Sequence, residues 1–106
     1  MKILLIINSN DAEVRWNAIR FGNLCLDEGD TANIFLIGPG VEFYDGDSEK
    51  FSIKDESKKF ILNGGTILGC TKCMDNHNIC EDECIKKSYM KKLYDLVKEA
   101  DKVINY

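Results

Sequence analysis

Five thiols mark the places where chemistry could reside in this chain: Cys25, Cys70, Cys73, Cys80 and Cys84. Four of them follow the spacing C-x2-C-x6-C-x3-C, and the stretch "TILGCTKCMDNHNIC" (66–80) alone holds three. Such a cluster can serve as disulfide staples, as metal ligands, as a redox couple, or as one nucleophilic thiol with companions. Staples are the poorest fit. An odd number of cysteines leaves one unpaired, and a chain of 106 residues can bury a core without covalent help. The opening "MKILLIINSND" is too short an apolar run for a signal-peptide core, and no later segment approaches a membrane span. The expected location is therefore cytoplasmic, where thiols stay reduced.

The position of Cys70 makes it the candidate nucleophile. It closes "GTILGC" (65–70), an apolar stretch read as a strand. If "TKCMDNH" begins a helix there, unpaired backbone N–H groups would face the sulfur and favour thiolate over thiol. Lys72 adds positive charge, which Asp75 and the "EDE" at 81–83 oppose. Cys73 completes a C-x-x-C, the spacing of a dithiol redox pair or of a thiol that resolves a persulfide or disulfide on Cys70. The aromatic and the Gly-Pro of thioredoxin-like motifs are missing. As a set, Cys70, Cys73, Cys80 and Cys84 could hold zinc or an iron–sulfur cluster, although six residues between the pairs is shorter than zinc-ribbon spacing. Cys25 lies on an apolar helical stripe and reads as a small buried hydrophobe. His77, the one histidine, sits in the polar "DNHN" and reads as a solvated loop residue.

These thiols need a scaffold, and the rest of the chain describes one. "ILLII" (3–7) is a continuous apolar run, the pattern of a strand buried on both faces of a parallel sheet, and "ANIFLIG" (32–38) reads as a second buried strand. Between them, Val14, Ala18, Phe21 and Cys25 recur at helical spacing, and Glu28–Gly29 ends that helix. "GPG" (38–40) stops the second strand. Residues 40–52 read as irregular, with Phe43 and Tyr44 expected at a subunit contact and Trp16 packed beside the first helix. A helix over 53–62 carries Ile53, Phe60 and Ile61 inward. A last helix starts near Ser88 with the stripe Met90, Leu93, Tyr94, Val97 and Ala100, before "KVINY" as a closing strand. The alternation predicts one α/β domain, residues 1–106, built on an open, mostly parallel sheet of four or five strands. Chemistry on such sheets collects at the carboxyl ends of the strands, where Cys70 lies. The "NSND" turn after the first strand lacks phosphate-cradling glycines, which argues against a flavin or dinucleotide. The acidic balance, 18 Asp and Glu against 14 Lys and Arg without any basic block, argues against direct nucleic-acid binding.

"GGTILGCTKCMDNHNI", with "SYMKKLYDLVKEADKVI", "MKILLIINSND" and "IFLIGPGVEF", resembles the small DsrE/DsrF-like proteins. The resemblance implies a flavodoxin-like three-layer α/β/α sandwich that assembles into homotrimers or homohexamers. It also implies intracellular sulfur relay, with Cys70 carrying sulfane sulfur as a persulfide between donor and acceptor proteins and Cys73 matching a second cysteine found in some members. Thr71 stands where relatives often have glycine, and Cys80 and Cys84 are extra. The readings carried forward are a cofactor-free sulfurtransferase-like carrier, a zinc or iron–sulfur module on the four clustered cysteines, a Cys70–Cys73 dithiol oxidoreductase, and a non-catalytic assembly subunit.

Overall fold

The computed structural model describes residues 1–106. Five parallel strands form one sheet in the order β4-β3-β2-β1-β5. The strands are β1 (Lys2–Ile7), β2 (Thr31–Leu36), β3 (Thr66–Cys70), β4 (Ile85–Ser88) and β5 (Lys102–Asn105). The helices are α1 (Ala12–Asp27), α2 (Ile53–Leu62), α3 (Thr71–Asn76) and α4 (Met90–Glu99), with a 3-10 turn at Gly38–Val41. The expected α/β architecture is therefore present, and every strand pair is parallel.

Alternating side chains divide the sheet into two unequal faces. Ile3, Leu5, Ile7, Ile34, Leu36 and Ile67 pack against Ala18, Ile19 and Cys25 of α1 and Ile53 and Phe60 of α2. Leu4, Phe35 and Cys70 point to the opposite face, where Leu96 of α4 meets them. Leu96 is the one buried residue of α4 and keeps 8% of its surface exposed. Each fully buried side chain of this size contributes about 1.5–3 kcal/mol, so the first face holds most of the stabilising burial and α4 is attached more thinly.

Three expectations about faces are corrected. On α1 the inward stripe runs through Arg15, Ala18, Ile19, Gly22 and Cys25, while Phe21 is 38% exposed. Rotating the helix this way lets Gly22 approach the ring of Phe60, a place where an added Cβ would come within 2.9 Å of it. On α4, Leu93, Leu96 and Ala100 turn inward, whereas Met90, Tyr94 and Val97 are exposed at 58%, 56% and 42%. The helix also starts after Ser88, which is the last residue of β4; Tyr89 is its N-cap and makes no side-chain cap bond. Finally, Phe43 is no surface contact: it is buried in the main core with Val41. Tyr44 is half-buried beside it. Trp16 packs on Phe51, with ring centroids 5.4 Å apart, and carries the Arg20 guanidinium over its face.

β4 has no apolar run, and acidic side chains fix its start. Asp82 Oδ1 accepts the backbone N–H groups of Cys84 and Ile85, both at 2.8 Å, and Glu81 Oε2 accepts that of Lys87 at 2.7 Å. The "EDE" segment thus satisfies the backbone of an edge strand rather than the charge of a thiol. Lys87 Nζ completes the arrangement on Asp75 of α3 at 2.8 Å.

Candidate functional site

Cys70 ends β3 and is at once the residue before α3. Its side chain makes no bond to the N–H groups of α3. With φ −59° and ψ 121°, it instead lies on the α4 face among Leu4, Phe35 and Leu96, and is 6% exposed. The expected stabilisation of Cys70 by a helix end is therefore not the one found; the sulfur points across the sheet rather than along it.

The neighbour that Cys70 does have is Cys73. Cys73, one helical turn on, packs against the cluster that contains Cys70, and the Gly38–Val41 turn lies against α3, so that both Cys70 and the Gly38 backbone N–H act on the ionisation of the Cys73 sulfur. Cys73 is half-buried and touches both halves of the core, at the carboxyl end of the sheet. Three effects act on its ionisation. The Gly38 N–H favours the thiolate, while burial and the adjoining Cys70 favour the thiol. The thiol wins, and the Cys73 pKa is raised above the ordinary cysteine value.

Gly38 reaches Cys73 because the "GPG" turn folds tightly over the end of β1. Gly38 has φ +52°, open to glycine at little cost. At Gly40 an added Cβ would lie 2.1 Å from the Ile7 carbonyl oxygen, so only glycine lets the turn approach this closely. The segment beyond the turn is anchored by Arg15, 1% exposed, whose guanidinium donates to the carbonyls of Asp11, Asn10 and Glu42. Thr71, in the position where glycine was noted for relatives, donates its hydroxyl to the Ser88 carbonyl at 2.7 Å and so ties the start of α3 to β4. Neither Gly38 nor Arg15 was singled out from the sequence. The visible signal for Gly38 was a pair of glycines flanking the only proline at a strand's carboxyl end. For Arg15 there was none, since a cation on a mostly apolar helix normally faces water.

The remaining cysteines go elsewhere. Cys25 is buried beneath α1, and burial pushes its thiol pKa up. Cys80 is exposed. Cys84 is buried, and Tyr44 and Asp82 both act on its ionisation. Burial raises the Cys84 pKa against the pull of Tyr44, and burial raises that of Tyr44 as well. A groove of about 350 Å³ lined by Lys58, Ile61, Leu62, Glu83 and Cys84 opens on that side, away from Cys70. No group of three or more His, Cys, Asp or Glu side chains is placed to hold a metal ion. The set Cys70, Cys73, Cys80 and Cys84 therefore does not fit zinc or an iron–sulfur cluster, which needs converging thiolates. His77 caps α3 and pairs through Nδ1 with Glu42 Oε2 at 3.0 Å.

The DsrE/DsrF-like family model matches residues 1–106. The chain belongs to the DsrE/DsrF-like family. That family is generally associated with sulfur relay. Among solved structures, the ychN protein from E. coli superposes with a TM-score of 0.87 at 18% identity, covering 100% of this chain and 99% of its own. A conserved protein of unknown function from Bacteroides thetaiotaomicron, BT1422, gives a TM-score of 0.82 at 20% identity, over 99% of this chain and 94% of its own. At these identities the likeness concerns the fold, the YchN-like form of the α/β sandwich. No curated protein sequence matches the chain. No helix of this DsrE/DsrF-like chain is long and apolar enough to cross a membrane.

Proposed function

We propose that this chain is a sulfur carrier whose reactive centre is the Cys70–Cys73 pair, with Cys70 holding sulfane sulfur as a persulfide between donor and acceptor proteins. The observation that carries this reading is the packing of two thiols, Cys70 and Cys73, in one cluster at the carboxyl end of β3, in a family associated with sulfur relay. Thiolate attack on a persulfide follows the chemistry of disulfide exchange, and a neighbouring thiol can donate to a charged sulfur. Cys70, expected to be reachable at its strand end, is instead 6% exposed under Leu96, so loading and unloading need a path past its neighbours. No cofactor is needed for such an exchange. The dithiol oxidoreductase reading uses the same pair. It requires that Cys70–Cys73 cycle between thiols and disulfide as the working reaction rather than as a side product.

Intact-mass measurement after incubation with a persulfide donor tests the carrier. Wild type and Cys25→Ser should each gain about 32 Da per loaded sulfur. Cys70→Ser should lose stable loading, and Cys84→Ser should keep it. Equal retention of the added sulfur by Cys70→Ser and wild type after the donor is removed would overturn the assignment, and a mass two hydrogens short with no added sulfur would favour the dithiol oxidoreductase.

Exchange between proteins in the cytoplasm also calls for a docking surface. Tyr89, Met90, Tyr94 and Val97 form an exposed apolar stripe along α4, with Val103 on the adjoining face of the edge strand β5. Isolated exposed apolar residues are ordinary, but a contiguous row is not. Homotrimeric or homohexameric assembly would cover this row and bring α4, which overlies Cys70, to the subunit boundary.

A further inference from the structure

If Cys70 carries the sulfur, the structure leaves it almost closed to a donor: 6% exposed, and roofed by Leu96 and its neighbours. Cys73 is the more open of the two, and it packs against the same cluster as Cys70. We infer that Cys73 is the port of the site, accepting sulfur from the donor and passing it inward to Cys70. This rests on the carrier reading and adds to it an order of events and a role for Gly38.

The two steps balance without an outside oxidant or reductant. In the first, the Cys73 thiolate attacks the outer sulfur of a donor persulfide R–S–SH. The Cys73 Sγ–S bond forms, the donor's S–S bond breaks, and the donor leaves as R–S⁻ with the electron pair. In the second, the Cys70 thiolate attacks that same outer sulfur. Its bond to Cys73 breaks, Cys70 becomes the persulfide, and Cys73 returns to thiolate. Each step exchanges one thiolate for another. The reverse sequence unloads the carrier to an acceptor thiolate through the same port.

The Gly38 N–H has a specific place in this scheme. It lies in the turn packed against α3 and favours the anionic form of the sulfur that must be charged at the start of the first step and again at the end of the second. Backbone donors fixed by a rigid turn stabilise a developing anion without reorganising. The turn is fixed here by the close approach of Gly40 to Ile7 and by Arg15 on the Glu42 carbonyl. Gly38 is thus a positioning residue for Cys73. Cys70 has a different environment, with apolar side chains and the Cys73 thiol around it, and so suits storage rather than capture.

The test uses the full chain and glutathione persulfide as donor, with samples quenched by alkylation over time and digested with trypsin. Cleavage after Lys72 separates the peptide that ends "CTK" from the one that begins at Cys73, so the extra sulfur can be assigned to either residue. In wild type the label should reach the Cys73 peptide first and the Cys70 peptide later. In Cys73→Ser and Cys73→Ala, loading of Cys70 should slow by at least about tenfold, as expected for a thiol without access. In Cys70→Ser, Cys73 should load at least as fast as in wild type but lose the sulfur faster to added dithiothreitol. Wild-type loading of Cys70 in both Cys73 variants, with their circular dichroism unchanged, would overturn the port while leaving the carrier intact. A Cys70–Cys73 disulfide with released sulfide would also overturn it, because Cys73 or Cys70 would then attack the inner sulfur. Undiminished loading in Cys70→Ser/Cys73→Ser would overturn the carrier reading itself.

Discussion

Two cysteines three positions apart in one chain experience different chemistry because they sit on different sides of a strand end. Cys70 completes β3 and inherits its alternation, which sends it to the α4 face; Cys73 is one helical turn on and returns to the sheet edge under the "GPG" turn. The sign of the Cys73 shift has a direct consequence. A raised thiol pKa keeps the group neutral at pH 7, and the thiolate fraction climbs tenfold per pH unit until the pKa is passed. The alkylation rate of Cys73 by iodoacetamide should therefore continue to rise beyond about pH 8.5, the ordinary thiol value, instead of levelling there. Cys70→Ser removes both the neighbouring thiol and its charge, so the same profile should move to lower pH in that variant. A plateau below pH 8 in wild type, or no movement in Cys70→Ser, would contradict the coupling of the two sulfurs.

At the scale of elements, the site depends on a turn held in place by a buried cation. Arg15 Nη2 donates to the Asn10 carbonyl at 3.0 Å, while its other nitrogens reach Asp11 and Glu42, so one side chain joins the start of α1 to the segment after Gly38–Val41. Arg15→Ala should leave those carbonyls without their partner and open a void, costing about 2–4 kcal/mol. Urea denaturation would read that loss, and persulfide loading of the folded variant should slow because Gly38 is no longer fixed. A change below about 0.5 kcal/mol, the range of ordinary surface substitutions, would show that the turn holds itself. The sequence disclosed these elements to the extent that apolar periodicity marks them. β1 was legible as an uninterrupted apolar run and β2 and β3 as mostly apolar segments, α2 was placed over its observed span of 53–62, and Cys70 was placed at its strand end. β4 was not, because "IKKS" has no apolar pattern and is an edge strand whose start depends on Asp82 and Glu81. The influence of Gly38 on Cys73 joins residues far apart in the chain, and no local pattern announces it. Phe43 misled for a similar reason: an irregular, polar segment gives no period from which to tell a buried aromatic from an exposed one.

Across the whole molecule, the two sheet faces explain both the stability and the expected assembly. α1 and α2 cover one face fully, but α4 alone covers the other and leaves its own apolar row outside. The same periodicity that identified α4 from sequence misassigned its buried side, since Met90, Tyr94 and Val97 share a stripe that turns away from the sheet. Light scattering should give three or six times the 12.0 kDa chain mass for wild type. Tyr94→Glu/Val97→Glu should give the single-chain mass with the helical signal retained. A wild-type monomer across the micromolar range would contradict the assembly.

The claim on which the rest depends is that sulfane sulfur resides on Cys70. A crystal structure of the donor-treated protein tests it most directly. The account predicts one additional sulfur bonded to Cys70 Sγ, on the α4 face beside Leu96, with Cys25, Cys80 and Cys84 unmodified. An unmodified Cys70 in crystals where another cysteine carries the sulfur, or a metal ion bound by Cys70 and its neighbours, would contradict it.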